Sequence, residues 1–235
     1  MYIINTKRIT MKNIKKALIS MIAIIGLTTN VSAFEGFSVG AVYSSLDFST
    51  TGEEVARGAE GGGALTLNKT TKSGSGDVGS IFGEYTFAQG STIGVEHISG
   101  STEIGTAQRV ETGTTAGTVI ASASISDPTT YYVEPTFMMN DTFGVYLKGG
   151  ATHVSVEPKE TDAGSVTAST YKSEDVWGIV TGVGAKYYYG NFFVKAEYLE
   201  TEFETYKHTS TTGDKNTISA DIDTEETRLA IGYNF

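Results

Sequence analysis

Each of the chain's three histidines is followed two residues on by a serine: His97-Ile98-Ser99, His153-Val154-Ser155 and His208-Thr209-Ser210. On an extended strand, residues two apart share a face. There a histidine can act as base and a serine as nucleophile, provided an acid orients the imidazole. No acid stands in a register that assigns it that role. Ser and Thr abound throughout, so three copies read more simply as composition than as one tuned site. His97 fits that reading least, because it shares its parity with the apolar Ile93 and Val95.

Two acidic runs could do cation chemistry. Asp221, Asp223, Glu225 and Glu226 form one, and Glu200, Glu202 and Glu204 the other. Carboxylates suit Ca²⁺ or Mg²⁺, yet neither run has the Asp/Asn-rich, Gly-turn spacing of a dedicated site. They read as solvated segments, with Glu200 and Glu225 facing out to meet divalent ions. Gly61-Gly62-Gly63 precedes neither a GK[ST] element nor a helix and matches no phosphate-binding fingerprint. Asn68-Lys69-Thr70 fits the N-x-[ST] glycosylation sequon, and no other feature accompanies it. The sequence thus calls for no catalytic residue, no metal ligand and no cofactor.

A third set is more orderly. Glu84, Glu96, Glu134 and Glu197 oppose Lys148, Lys186, Lys195 and Arg228, four against four. All eight occupy one parity of segments whose other parity is apolar. That pattern requires strands. The segment TRLAIGYNF places Thr227, Leu229, Ile231, Tyr233 and Phe235 on one face and Arg228, Ala230, Gly232 and Asn234 on the other. The same alternation recurs around Phe37–Tyr43, Ile81–Phe87, Ile93–Val95, Tyr131–Phe137, Val145–Ala151, Trp177–Tyr189 and Val194–Tyr198. This predicts about eight strands and no helix, or ten strands if the long connections contribute hairpins of their own.

The connections alternate in length. Ala88–Ser91, Asn140–Thr142 and Gly190–Asn191 are short, while 47–77, 100–128, 157–175 and 202–223 are long and polar. Weak alternation persists inside the long ones, as in Val119, Ala121, Ala123 and Ile125, so strands are expected to run on past the main body. Pro135 falls within a strand, where it cannot donate to the ladder, and a bulge is expected there.

The N-terminus reads as a secretory leader. Lys7, Arg8, Lys12, Lys15 and Lys16 precede the apolar stretch Ala17–Leu27, and Val31-Ser32-Ala33 fits a cleavage site. Met11 is an alternative start. The mature domain is then 34–235. Cleavage removes five of 17 basic residues and none of 27 acids, leaving 12 against 27 and a net charge of −15 in place of −10. Such an acidic chain is a poor partner for nucleic acid. With no Cys there are no disulfides, and the 39% apolar content is lean for a packed soluble core.

Alternation alone does not say which face points out. The leader, the aromatics clustered at the short-turn end (Phe87, Phe137, Phe143, Tyr187, Tyr189, Phe192, Tyr233 and Phe235) and the Gly-rich polar face together favour apolar-out. The fold expected is all-β, a transmembrane antiparallel up-and-down barrel. Its interior is filled by paired charges, because an unpaired buried ion costs several kcal/mol. Closure removes the strand edges and supplies the stability that disulfides would otherwise give.

VYLKGGA (145–151), TGVGAKYYYG (181–190), FVKAEYLETEF (193–203) and TRLAIGYNF (227–235) resemble the small OmpA/OmpX-like outer-membrane β-barrel family. The resemblance implies residence in the bacterial outer membrane, with long loops extracellular and short turns periplasmic. It implies lipid and lipopolysaccharide as surroundings. It also implies a C-terminal signal, here Ile231, Tyr233 and Phe235, read by the barrel-assembly machinery. No peptidoglycan-binding domain follows Phe235 in this sequence. The function expected is a non-enzymatic structural or surface-interaction role with an unspecified surface partner. The alternative is a porin-like channel for ions or small solutes. A third is a lipid-modifying enzyme, since a His-x-Ser pair facing lipid resembles the arrangement in outer-membrane lipid A deacylases.

Overall fold

The computed structural model describes residues 35–56, 66–111, 117–164, 168–212 and 216–235. The leader expected over 1–33 and the Gly61–Gly63 run lie outside them. The described residues form strands β1 (Gly36–Ala56), β2 (Thr66–Thr86), β3 (Thr92–His97), β4 (Ser101–Glu111), β5 (Gly117–Glu134), β6 (Thr136–Met138), β7 (Phe143–Gly164), β8 (Glu174–Tyr189), β9 (Phe192–Phe203), β10 (Tyr206–Thr209) and β11 (Thr217–Asn234).

The eleven segments make eight staves, because β3 continues into β4, β5 into β6 and β9 into β10. Antiparallel ladders run β1–β2–β3–β5–β7–β8–β9–β11, and β11 returns to β1 through Ser38↔Asn234 to Val55↔Thr217. The sheet is therefore a closed up-and-down barrel. In its lower part each strand has a paired neighbour on both sides, as a low-dielectric surround requires.

Parity decides which side chains meet which medium. On β11 and at the residue just past it, Leu229 and Phe235 point outward, 64% and 75% exposed, while Ala230, Arg228 and Asn234 are buried inside. The same holds for Phe37, Val39 and Tyr43 on β1 and Val183 and Tyr187 on β8, so an apolar belt surrounds the lower barrel. Edge-to-face pairs Phe192–Tyr233 and Tyr233–Phe235 strengthen its short-turn end. From Thr227 to Phe235 the belt takes the length of a tilted membrane strand, about nine to eleven residues.

Much of what reads as long polar loops is strand. β1 and β2 pair as far as Ala56↔Thr66, and β5 and β7 as far as Gly117↔Gly164. Above the belt the side-chain pattern inverts. Ile218 and Ile222 point inward on β11, and Asp221, Asp223 and Glu225 point outward. The upper barrel is apolar inside and mainly polar outside, with Leu67, Val110 and Ile120 exposed among its polar neighbours.

The expected bulge at Pro135 is absent. Val133↔Gly149 and Thr136↔Tyr146 keep one register across it. Pro135 still accepts a bond from Leu147 N (3.2 Å), so the ladder loses one donor and needs no extra residue. The register shift on this stave lies higher, between Ser126 and Thr129, where Asp127 adopts φ 49°. The shift switches the inward parity. Tyr132 and Glu134 are inside below it, and Val119, Ala123 and Ile125 are inside above it.

Candidate functional site

The interior is layered. At the short-turn end Val42, Phe82, Met138, Tyr188, Phe193 and Ala230 form an apolar plug. Ile104, Val154, Val156, Val176, Tyr206 and Ile222 form a second apolar cluster at the other end. Between them lie the charges. Adjacent glycines make room for the rings. A Cβ on Gly232 would stand 2.2 Å from Phe193 Cζ, and one on Gly184 would stand 2.4 Å from Tyr146 Cζ.

All eight residues expected to line the interior with charge are buried, and they are brought together. Glu134, fully buried, is the hub. Its carboxylate meets Lys195 at 2.9 Å and both Lys148 and Lys186 at 3.4 Å. Lys186 and Lys195 also reach Glu84, at 3.2 and 2.5 Å. Lys148 donates to Glu197 at 3.0 Å. Arg228 pairs with Glu96 and lies 3.3 Å from Glu197. Neutral donors complete the carboxylates: Tyr132 to Glu84 and Tyr146 to Glu197, each at 2.8 Å, and Ser80 to Glu96 at 2.5 Å. The ammonium of Lys148 sits 4.0 Å above the Tyr132 ring, and that of Lys195 sits 5.0 Å above Phe82.

One further acid belongs to this layer. Glu226 reads in sequence as part of the solvated run, but its side chain turns inward, 3.7 Å from Arg228. Its parity with Arg228 and Ala230 was the available signal. Its neighbours Asp221, Asp223 and Glu225 do face out, and Glu225 lies between Asp47 and Glu200 in register. Tyr198 donates to Glu225 at 3.0 Å. Asp223, above the belt, has its carboxyl pushed up by burial and then by Asp221.

The histidines do not share one site. His97 bonds Thr129 Oγ1 at 3.0 Å. His208 stands on β10, stacked obliquely near Tyr206. His153 differs from expectation, because the structure supplies an acid. Asp175 lies 3.4 Å from its Nε2, and Trp177 packs edge-on at 5.0 Å. Ser155 is opposite Asp175 in register, and the hydrogen bonds of the described residues do not join it to His153. Ile231, Tyr233 and Phe235 stand on the outer face at the barrel's lower end.

Above the charges a cavity of about 610 Å³ opens, lined by Ile104, Val119, Ala121, Val156, Tyr206 and Ile218 among others. One stave boundary beside it is unzipped. β2 pairs with β3 only from Ile81↔His97 to Thr86↔Thr92, and above that β2 pairs with β1 and β4 with β5. Among the described residues, no ladder joins upper β2 to β4. The opposite side is closed. Thr211 N donates to Thr170 O at 2.9 Å and Tyr206 Oη to Lys172 O at 2.9 Å.

Comparison with known proteins agrees with this architecture. The family described as "Outer membrane protein beta-barrel domain" matches residues 17–235. Among solved structures, the outer membrane protein OprG from Pseudomonas aeruginosa superposes with a TM-score of 0.53 at 15% identity, covering 88% of this chain and 100% of that one. Ail, the attachment invasion locus protein of Yersinia pestis, gives 0.33 at 14% identity, over 83% and 99% of the two chains. The outer membrane protease OmpT of Escherichia coli gives 0.43 at 8% identity, over 88% and 99%. At these identities the likeness to OprG speaks to fold alone, and the other two carry no argument. No curated protein matches the sequence.

Proposed function

The chain belongs to the outer membrane β-barrel domain family, and from that premise we propose that it is a non-enzymatic surface-interaction protein: a sealed membrane anchor carrying an external barrel. One observation carries this reading. The interior at the level of the lipid belt is filled by a hydrogen-bonded charge cluster, with Glu134, Lys186 and Lys195 at 0%, 1% and 3% exposure. A water-filled pore would leave such groups solvated. Removing nine ions from water is costly, and the cost is offset only because each has counter-charges at bonding distance.

On this reading residues 1–33 are a leader, the short turns face the periplasm, and the long strands carry the acidic outer face into the medium. Unpaired edges of upper β2 and β4 offer backbone donors and acceptors to an extended segment of a partner. Lipopolysaccharide surrounds the belt, and the barrel-assembly machinery reads Ile231, Tyr233 and Phe235.

Planar-bilayer recording of the purified protein tests the seal. No reproducible conductance step is expected. Uniform steps that vanish on heat denaturation would replace the anchor with the porin-like alternative. Surface labelling of intact cells at a cysteine placed at Thr161 tests the orientation, and labelling only after permeabilisation would reverse it.

A further inference from the structure

The upper barrel encloses an apolar interior. Its cluster of Ile104, Val154, Val156, Val176, Tyr206 and Ile222 does not close on itself but borders the cavity of about 610 Å³. That volume falls within the range of small-molecule sites, about 300–1,000 Å³. Ile104, Val119, Val156 and Ile218 give the wall an apolar strip across β4, β5, β7 and β11, flanked by polar groups such as Gln108, Ser122 and Lys159.

The β1–β2 side of the same cavity is different. Thr50 and Lys72 are directly opposite in register and both have the inward parity. Both line the cavity. The hydroxyl oxygen of Thr50 is buried and has no hydrogen-bond partner among the described residues. A buried hydroxyl without a partner is costly and rare, and it marks a place where a ligand atom would be stabilised. The carboxylates nearby are already engaged. Glu53 pairs with Lys69 at 2.6 Å, Glu54 accepts from Asn216 at 3.0 Å, and Glu160 accepts from Ser169 N at 2.7 Å.

We propose that this cavity binds one single-chain amphiphile. Its carboxylate head is held by Thr50 Oγ1 and the Lys72 ammonium, and its alkyl chain lies along Ile104, Val156 and Tyr206. A carboxylate accepts from the hydroxyl and opposes the ammonium, which satisfies both groups at once. The unzipped boundary between upper β2 and β4 is the mouth. Leu67 and Lys69 on one lip and Thr106 and Gln108 on the other line the same cavity. The ligand thus enters from the side above the lipid belt, without crossing the charged layer.

The site gives the proposed surface role a ligand and so rests on that reading. Its test is independent of it, because in a lipid nanodisc both ends of the barrel meet the medium whichever way the protein lies in the cell. The protein, labelled at isoleucine δ1 methyls, is titrated with dodecanoate. Saturable shifts are expected at Ile104 and Ile218 with one-to-one stoichiometry. The lipid-facing Ile81 and Ile231 should drift only linearly as dodecanoate enters the bilayer. Thr50→Val with Lys72→Met should weaken the saturable phase about tenfold, which is about 1.4 kcal/mol. Dodecanol should bind the native protein more weakly than dodecanoate. Ala121→Phe, which fills the cavity, should abolish the phase while the barrel still migrates as folded. Linear shifts at all four methyls, or a saturable phase unchanged in both variants, would overturn the site.

Discussion

Glu134 and Lys195 stand three staves apart around the barrel, on β5 and β9, yet meet at 2.9 Å in its interior. Neither strand contacts the other through a ladder, so the pair is a cross-brace. It ties two separated walls together through the interior of the lower barrel. Because Glu134 also meets Lys148 and Lys186, one carboxylate holds three ammonium groups.

Neutralising that carboxylate leaves three buried cations short of a counter-charge. Glu134→Gln is nearly isosteric, so the effect is electrostatic rather than a packing defect. Breaking a buried ionic cluster from one side costs about 3–5 kcal/mol. The variant should unfold at lower urea than the native barrel, read by heat-modifiable gel migration. An unchanged midpoint would show that water reaches the layer.

Which parts of this could be read from the residues follows from parity. Leu229, Ile231 and Tyr233 alternate with Arg228, Ala230 and Gly232 without interruption, so the lower barrel and its charged lining were legible. In the upper barrel the alternation of Val119, Ala121, Ala123 and Ile125 announced continuing strand, but the exchange of faces was not legible. There the apolar set is Ile218, Ala220 and Ile222, of opposite parity on the same strand, among acids that read as loop. A strand leaving lipid for water exchanges its inner and outer chemistries, and a single amphipathic template misses the exchange. The shift at Ser126/Thr129 was illegible for another reason. It depends on Asp127 taking φ 49°, which alternation does not report. Glu226 was misassigned because its neighbours in sequence are solvated, although its neighbours in space are Arg228 and Glu96.

The C-terminal strand carries a prediction about assembly. Phe235 is 75% exposed and packs edge-on against Tyr233, so it adds little to the folded interior. Phe235→Ser should therefore leave the purified barrel's stability nearly unchanged. In cells it should lower the amount in the outer membrane severalfold. The extracted native chain should begin at Phe34 by mass spectrometry. Equal membrane levels of the variant would remove the assembly role.

High pH should loosen the upper barrel through Tyr206. Burial, and then the Glu174 carboxylate, push its phenol up to about 12 from an ordinary value of 10.0. The folded state holds the proton more tightly than the unfolded one. The stabilisation from this group is therefore complete below pH 10 and is lost as pH rises towards about 12. Native protein and Tyr206→Phe should lose stability differently across that window, followed by near-ultraviolet circular dichroism. Parallel curves would mean that Tyr206 ionises normally.

The two ends of the barrel should fail separately, because different media hold them. The lower part is fixed by lipid outside and ion pairs within. The upper part depends on an apolar interior in water, where Ile222 is 1% exposed beside Val154 and Tyr206. Ile222→Asp places a carboxylate in that interior with no cation adjacent to it on β11, a change of the most destabilising class. The upper strands should then open while the membrane ladder, from Leu229 to Tyr233 against Val39 to Tyr43, stays closed. Limited proteolysis in bilayers reads the difference. The native chain should resist cleavage across 101–111 and 157–164. Ile222→Asp should be cut there, leaving a membrane-protected remnant that still shifts on heating. Ile231→Asp, on the lipid face of the same strand, should lose the heat shift instead. If both variants failed in the same way, the barrel would be one cooperative unit and the division at the rim would have no energetic meaning.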